Sequence, residues 1–257
     1  MTGFWILLRK ELDESWRTRR LPVVAALFAI VGMISPITAR YLPEILKATL
    51  GDQLPMTLPT PTAVDAIAQL QKNVGQLGAL AAIALAMGSV SGELDRGTAA
   101  LVLSQPVTRP AFLVAKLAGI GITLLVAMLF ASVLAWVYTT ALFSAQPIGG
   151  WLAMTLLAWL ALLAWAAFTF VASAATGSTM AAAGIGFVAL IGLSLLSIVP
   201  ALDRLLPTGL AEPGTLLAAG GTGGVDAAGL ATAVAGTVVL IGACLAIAVV
   251  SFRRREL

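Results

Sequence analysis

Residues 117–142 read LAGIGITLLVAMLFASVLAWVYTTAL, a run without Asp, Glu, Lys or Arg. About 20 apolar residues in helical conformation are enough to cross the hydrocarbon core of a bilayer. A surface helix of a water-soluble protein would carry polar residues on one side over such a length. This stretch therefore predicts a membrane-spanning helix, and it identifies lipid as the solvent for much of the chain.

The composition of the 257-residue chain extends this prediction to the whole protein. Apolar residues make up 60% and charged residues 11%, with a mean hydropathy of +1.00, whereas a soluble domain carries about 25% charge. We predict a single all-α polytopic membrane domain over 1–257, which excludes soluble enzymes, nucleic-acid binders and disordered chains. The six predicted spans cover residues 21–40, 76–92, 117–142, 151–174, 179–200 and 227–252.

Several kinds of chemistry lack the residues they need. The chain has no histidine and one cysteine, Cys244, so neither a transition-metal site nor a disulfide within the chain is expected. Nucleophilic catalysis with a histidine base is excluded for the same reason. None of the four lysines lies in a Gly-x-x-x-x-Gly-Lys-Ser/Thr pattern, so ATP hydrolysis by a P-loop would need a separate polypeptide.

Residues 2–18 predict an amphipathic helix on the membrane surface. Apolar side chains recur there every three to four residues, which makes one apolar stripe. Charged side chains cover the remaining faces. The stripe consists of Phe4, Trp5, Leu8, Leu12 and Trp16, and the charged faces carry Arg9, Lys10, Glu11, Asp13, Glu14 and Arg17.

The distribution of Lys and Arg predicts the orientation. With the N-terminus in the cytoplasm, the inner segments hold 5 + 3 + 0 + 3 = 11 basic residues and the outer segments 3 + 0 + 1 = 4. Basic residues concentrate on the cytoplasmic side of membrane proteins. Both termini are therefore predicted to be cytoplasmic, which requires an even number of spans.

Two longer segments then fall outside the membrane. In 41–75, a short helix is expected from Pro43 to Leu50, followed by a proline-rich break. Thr62 and Asp65 then predict a capped helix that continues into the second span. The segment 201–226 is expected to form a short re-entrant hairpin against the outer leaflet. In the fifth span Gly184, Gly186 and Gly192 are either helix contact points or tolerated glycines.

The cytoplasmic segment 93–116 carries the most informative pattern. Residues 92–109 read GELDRGTAALVLSQPVTR, with Lys116 following. The pattern predicts two short surface helices with a corner at Pro106, the second one capped by Thr108. The apolar residues 99–103 are flanked by charge, which indicates a patch that docks against a partner or the headgroup layer.

This segment and the opening LRKEL at 8–12 resemble the ABC-2 family of ABC-transporter membrane subunits. The motif-level likeness covers 8–20, 59–78 and 88–119. It is closest to the branch that contains copper-enzyme-maturation permeases and unassigned multidrug or lipid exporters. Copper is not carried over, because that branch is defined by its partners and this chain has no histidine.

The resemblance implies six helices per subunit and a dimer, expected to be a homodimer, with two copies of an ABC ATP-binding subunit. ATP and Mg²⁺ would be bound by that partner, with no cofactor on this chain. The first cytoplasmic loop would be the coupling helix that contacts the ATPase. The implied coupling residues are Glu93, Leu94, Asp95, Arg96, Gly97, Thr98, Leu101, Ser104, Pro106 and Arg109.

The predicted function is that of a permease subunit of an ATP-driven exporter in a prokaryotic cytoplasmic membrane. Unpaired charge is costly in lipid, so the uncharged spans favour an amphipathic or hydrophobic cargo such as a lipid, drug or peptide, moved outward. Candidate residues along the path are Tyr138, Trp159, Trp165, Thr169 and Ser194.

Two other classes remain open. A secondary transporter usually places ionisable residues or broken helices at mid-membrane, and the interiors of the predicted spans contain no Asp, Glu, Lys or Arg. A non-transporting membrane scaffold or immunity component is compatible with the same sequence. Nucleotide-dependent flux would separate the scaffold from the exporter.

Overall fold

The computed structural model describes residues 3–50, 60–98, 104, 107–221 and 224–253. These residues form helices, turns and loops, and none of them lies in a strand. The main helices are α1 (Phe4–Arg17), α2 (Arg20–Leu50), α3 (Ala63–Asp95, interrupted twice), α4 (Arg109–Leu142), α5 (Ile148–Thr176), α6 (Thr179–Leu196), α7 (Ala211–Ala218) and α8 (Ala227–Arg253).

Six of these helices are long and apolar enough to cross a membrane, namely α2, α3, α4, α5, α6 and α8. The prediction of six spans is confirmed. Several helices exceed the predicted spans: α2 has 31 residues and passes through Pro36 and Pro43 without ending. At 1.5 Å per residue it is about 46 Å long, more than a hydrocarbon core of about 30 Å. The short helix expected from Pro43 to Leu50 is therefore the end of the first span and not a separate element.

The start of α3 confirms the predicted cap. The Asp65 amide donates to Thr62 Oγ1 at 3.4 Å, and the Thr62 amide donates to Asp65 Oδ2 at 2.8 Å. This reciprocal pair satisfies two amide groups at the start of the helix. As predicted, the helix continues into the second span. It does so through a π-helical stretch, Val74–Gly78, which the sequence pattern did not indicate.

The segment 93–116, which was predicted to be cytoplasmic, differs from its prediction in one respect. Thr108 does cap a helix, since its Oγ1 accepts from the Ala111 amide at 3.3 Å. That helix is α4 itself, which runs without interruption to Leu142. The prediction of a separate second surface helix within 93–116 is therefore wrong. The physical reason is that no residue after Pro110 in this stretch opposes helix formation, and Pro110 fits the first turn.

The bundle is organised around α5, which packs against α3, α4, α6, α7 and α8, while α2 packs mainly on α4. Two close approaches depend on glycine: a Cβ on Gly32 would overlap the Ala131 carbonyl of α4, and a Cβ on Gly150 would overlap the Leu217 carbonyl of α7. The largest fully buried side chains on α4 and α5 are Phe112, Leu113, Leu124, Met128, Met154, Leu162 and Phe170.

The three glycines singled out in the fifth span do not behave alike. A Cβ on Gly186 would collide with Thr169 of α5, so this glycine is a helix contact point. Gly184 and Gly192 have open space where a Cβ would lie. Within the described part of the chain, these two are not contact points, because they face away from α5.

The segment 201–226 contains more helical structure than the predicted short hairpin would. After the single turn Pro200–Asp203 comes a 3₁₀ turn, Pro207–Leu210, and then α7. Pro207 and Leu210 are buried, and α7 lies against α5. The segment is thus folded onto the bundle, while a re-entrant position in the outer leaflet stays a prediction.

The close approach of α2 to α4 leads to a stability prediction. We expect Gly32→Val to lower stability by about 1–3 kcal/mol, because the added side chain overpacks a backbone contact. The measurement is thermal unfolding in detergent followed with a thiol-reactive dye, since the only cysteine, Cys244, is buried. Gly184→Val is the matched control and should melt within a degree or two of the parent. Equal losses in the two variants would contradict the proposed packing.

Candidate functional site

Glu93 lies at the centre of a charged junction where α1, the end of α3 and the start of α4 meet. Only 5% of this residue is exposed. Its Oε1 accepts hydrogen bonds from Lys10 Nζ of α1 at 2.9 Å and from Lys116 Nζ of α4 at 2.8 Å. One carboxylate oxygen thus joins three helices that are far apart in sequence.

Two further carboxylates complete this cluster, which we call the ion junction (Lys10, Glu11, Glu14, Glu93 and Lys116). Lys116 is 3% exposed and also donates to Glu11 Oε1 at 3.0 Å. Lys10 lies 3.5 Å from Glu11 and 3.6 Å from Glu14. Two ammonium groups sit among the three carboxylates, so the lysines compensate two of the three negative charges.

The carboxylates around Lys10 favour its charged form. Burial alone disfavours the ammonium form of Lys10, but the hydrogen bond that Lys10 donates to Glu93 and the charges of Glu93, Glu11 and Glu14 outweigh it and raise the Lys10 pKa. Breaking a buried pair by removing one partner leaves an uncompensated charge. The Glu93 Oε2 atom is buried and receives no hydrogen bond from the described residues, so Glu93 depends on the two lysines at Oε1.

The N-terminal helix reaches this junction by packing closely on α4. Leu7 and Leu8 are buried, and the Glu11 side chain lies against Gly119, where a larger residue would crowd it. Trp5 and Trp16 are 78% and 65% exposed. Leu8 thus faces the protein, while the two tryptophans are exposed; the position of this apolar stripe on the membrane surface stays a prediction.

A second set of contacts fixes the same part of α3 to α5 and α6. The helix is interrupted at Gly88–Val90, and the freed amides of Val90 and Ser91 donate to Ser173 Oγ of α5 at 3.3 and 3.0 Å. The hydroxyls of Ser91 and Thr179, at the start of α6, lie 2.9 Å apart. A neighbouring helix thus supplies the acceptors that the interruption removes.

The last helix is fixed to the start of α4. Arg109 Nη1 donates to the carbonyls of Phe252 at 3.4 Å and Arg253 at 3.1 Å, at the C-terminal end of α8. A cation at this position also complements the helix dipole. The rings of Phe112 and Phe252 stack with centroids 5.9 Å apart. Arg109, one of the predicted coupling residues, therefore makes these contacts within its own chain.

The other predicted coupling residues divide by exposure. Glu93 is buried, and its observed partners, Lys10 and Lys116, belong to the same chain; its role in coupling stays a prediction. Ser104 is exposed, while Leu101 and Pro106 lie outside the described residues. The exposed residues of the turn after α3 are Asp95, Arg96 and Gly97, with Leu94 and Thr98 half-buried beside them.

Gly97 has a positive φ of 68°. Glycine adopts this conformation without the steric penalty of a side chain, and it ends α3 so that the chain turns away.

The five candidate path residues do not line one channel within the protomer. Trp165 and Ser194 line the same cleft between α3, α5 and α6. Trp159 instead donates from Nε1 to the Gly121 carbonyl of α4 at 2.8 Å. Thr169 is buried and donates to the Trp165 carbonyl, and Tyr138 is half-buried on α4. Their spacing in sequence carried no information on which helix faces meet.

Sequence reasoning did not assign roles to Lys116, Ser173 and Thr179. Lys116 was part of the quoted pattern, and a lysine that precedes a long apolar run was a signal that it needed an acidic partner. Ser173 and Thr179 lack such a signal, because small hydroxyl residues are frequent in membrane helices.

The described helices and the ion junction are those of a multi-pass helical membrane protein with a charged cluster at one end of its bundle. The family model of the ABC-2 family transporter protein matches residues 5–257. The chain therefore belongs to the ABC-2 transporter family.

Two curated relatives share part of the sequence. The chain is 32% identical over 112 residues to an uncharacterized transmembrane protein, YxlG, of Bacillus subtilis (strain 168), which covers 43% of each chain. It is 31% identical over 130 residues to the probable ABC transporter permease protein NosY of Stutzerimonas stutzeri, covering 50% of this chain and 42% of the relative. The alignments thus span less than half the length of each relative.

The ion junction yields a prediction that separates charge pairing from packing. We expect Lys116→Met to destabilise the protein by about 3–5 kcal/mol, because Glu93 and Glu11 lose a buried counter-charge. The double variant Lys116→Met with Glu93→Met should be more stable than Lys116→Met alone, since it removes a buried carboxylate that would keep only Lys10 as its counter-charge. The Cys244 dye assay measures both.

Arg96→Met is the control, since Arg96 is exposed and surface substitutions usually change stability by about 0.5 kcal/mol or less. A double variant less stable than Lys116→Met would show that the charge pairing is not what holds the three helices.

Proposed function

We propose that this chain is the membrane-spanning permease subunit of an ATP-driven exporter, which moves an amphipathic or hydrophobic substrate outward. The family match over 5–257 supports a transport permease, and one relative is described as a probable ABC transporter permease. Permeases of this family work with an ATP-binding subunit. The proposal assigns the contact with that subunit to the end of α3 and the residues that follow it.

One observation carries this assignment: the turn Asp95–Gly97 is exposed, while the residues just before it are tied to the bundle. Glu93 holds α1 and α4 through Lys10 and Lys116, and Ser91 is hydrogen-bonded to α5 and α6. A partner that displaces the turn would therefore move four other helices.

Rigid-body rotation of helices is an established way to switch between two packings. In this proposal, closure of two ATP-binding subunits moves the two α3 ends of a permease homodimer and tilts their bundles between inward-open and outward-open states. ATP and Mg²⁺ belong to the ATP-binding subunits. We place the basic end of the bundle, which carries α1, the ion junction and Arg253, in the cytoplasm of a prokaryotic cell.

The substrate class follows from charge. In the six long helices, the stretches 21–39, 73–92, 117–142, 148–176, 179–196 and 227–252 contain no Asp, Glu, Lys or Arg. A strongly ionic substrate would find few counter-charges along the spans. A neutral or weakly amphipathic molecule fits this environment better than a multivalent ion.

A charge-reversal pair tests the contact with the ATP-binding subunit. We expect Arg96→Glu to reduce co-purification of that subunit in mild detergent, because the turn would meet its partner with the opposite charge. We expect substrate-stimulated ATPase activity to fall about tenfold or more, since a closely paired interface charge is worth about 1.5 kcal/mol or more. The measurement combines subunit stoichiometry with ATP hydrolysis in proteoliposomes.

Arg17→Glu is the matched control, because Arg17 is also exposed at the basic end and undergoes the same charge change. It should retain the partner and the activity. If Arg96→Glu and Arg17→Glu behave alike, or if flux proceeds with no ATP-binding subunit present, the proposed contact is wrong.

A further inference from the structure

A cleft of about 280 Å³ lies between α3, α5 and α6, toward the end of the bundle opposite to the ion junction. Its roof is the 3₁₀ turn Pro207–Leu210 and the first residue of α7. This volume is close to the lower end of the range for small-molecule sites, which is about 300–1,000 Å³.

The lining of the cleft is apolar except at its roof. Leu162 and Trp165 of α5 and Leu190 of α6 form walls, and none of the described lining residues is charged. Ser194 and Thr208 add hydroxyl groups, of which Thr208 is already bound to Asp203 Oδ1 at 2.7 Å. This environment suits an apolar body and excludes an ionic group.

Gln71 supplies a buried polar group without a full set of partners. It is 9% exposed and lines the cleft, and its Nε2 donates to the Ala211 carbonyl of the roof at 3.2 Å. None of the described residues donates to its Oε1. An amide carbonyl can accept two hydrogen bonds, so this oxygen is available to a donor in the cleft.

The backbone beside the cleft is irregular as well. Val74 and Gly75 line it and belong to the π-helical stretch Val74–Gly78. Single-turn π-helical stretches inside α-helices frequently occur at functional sites. Gly75 has no heavy atom within 4 Å of where a Cβ would lie, so a larger side chain has room at this position of the lining.

We propose that this cleft binds an uncharged amphiphile, with its alkyl or ring portion against Trp165 and Leu190 and a hydroxyl or N–H group donating to Gln71 Oε1. The ligand comes either from the membrane as a resident lipid or from the transported cargo, since both present the same chemistry. Binding in the cleft does not depend on coupling to an ATPase and is measured on the permease alone.

The test uses a long-chain alkyl alcohol that carries a diazirine in mid-chain, together with its methyl ether. The purified full chain is irradiated with each probe in nanodiscs, and labelled peptides are mapped by mass spectrometry. We expect labelling of the α5 and α6 walls, with the alcohol about fivefold more effective than the ether, the factor expected from one net hydrogen bond.

Three variants sharpen the result. Gly75→Leu and Ala161→Leu fill the cleft and should each reduce labelling about tenfold or more, as overpacking does. Gln71→Met should make the alcohol and the ether equally effective, because it removes the acceptor. Gly184→Leu is the control, since Gly184 lies off the cleft with open space around it, and should label as the parent does. Elution volume and the dye assay confirm that each variant is folded.

Labelling that survives both filling variants, or an equal response to alcohol and ether in the parent protein, would overturn the proposal. Two further measurements identify the source of the ligand, one on the permease alone and one on the assembled complex. An uncharged lipid that the parent retains and Gly75→Leu loses identifies a resident lipid. Release of the bound alcohol on addition of ATP to the assembled complex identifies cargo.

Discussion

The pairing of Glu93 with Lys116 is the interaction on which the basic end of the bundle depends. Both side chains are almost fully buried, with Oε1 and Nζ 2.8 Å apart. Neither charge could remain there alone, because an isolated buried ion loses its hydration without compensation. The pair therefore fixes the end of α3 to the start of α4, and the additional lysine and carboxylates of α1 make the N-terminal helix part of the same unit.

The interruption of α3 at Gly88–Val90 gives this unit a second attachment. Ser173 accepts hydrogen bonds from two amides that the interruption frees, and Ser91 contacts Thr179. Charge pairing thus joins α3 to α1 and α4, while hydroxyl groups join it to α5 and α6. Because α5 also packs against α7 and α8, a displacement at the basic end has a packed route to the cleft at the opposite end.

The features predicted correctly from the sequence are those with a local cause. Apolar runs located the six spans, and Thr62 with Asp65, and Thr108 with Pro110, located two helix starts. Each of these signals acts over a few residues. The errors arose where a local pattern was extended too far, as in the separate helix near Pro43 and the second surface helix before Lys116. In each case contacts between helices, or the absence of a helix-ending residue, decided the outcome.

The sequence by itself determined that this protein crosses a membrane, because the length and apolarity of a run are properties of the chain and need no partner. It also determined where charge is concentrated, and its motifs indicated the family. Only the tertiary structure decided that Glu93 is buried and joins three helices within the chain, and is not exposed. It likewise decided that Trp165 and Ser194 share a cleft while Trp159 and Tyr138 do not. The reason is that the direction of a side chain becomes meaningful only when the rotation of each helix about its axis is known, and that rotation is set by packing against the other helices.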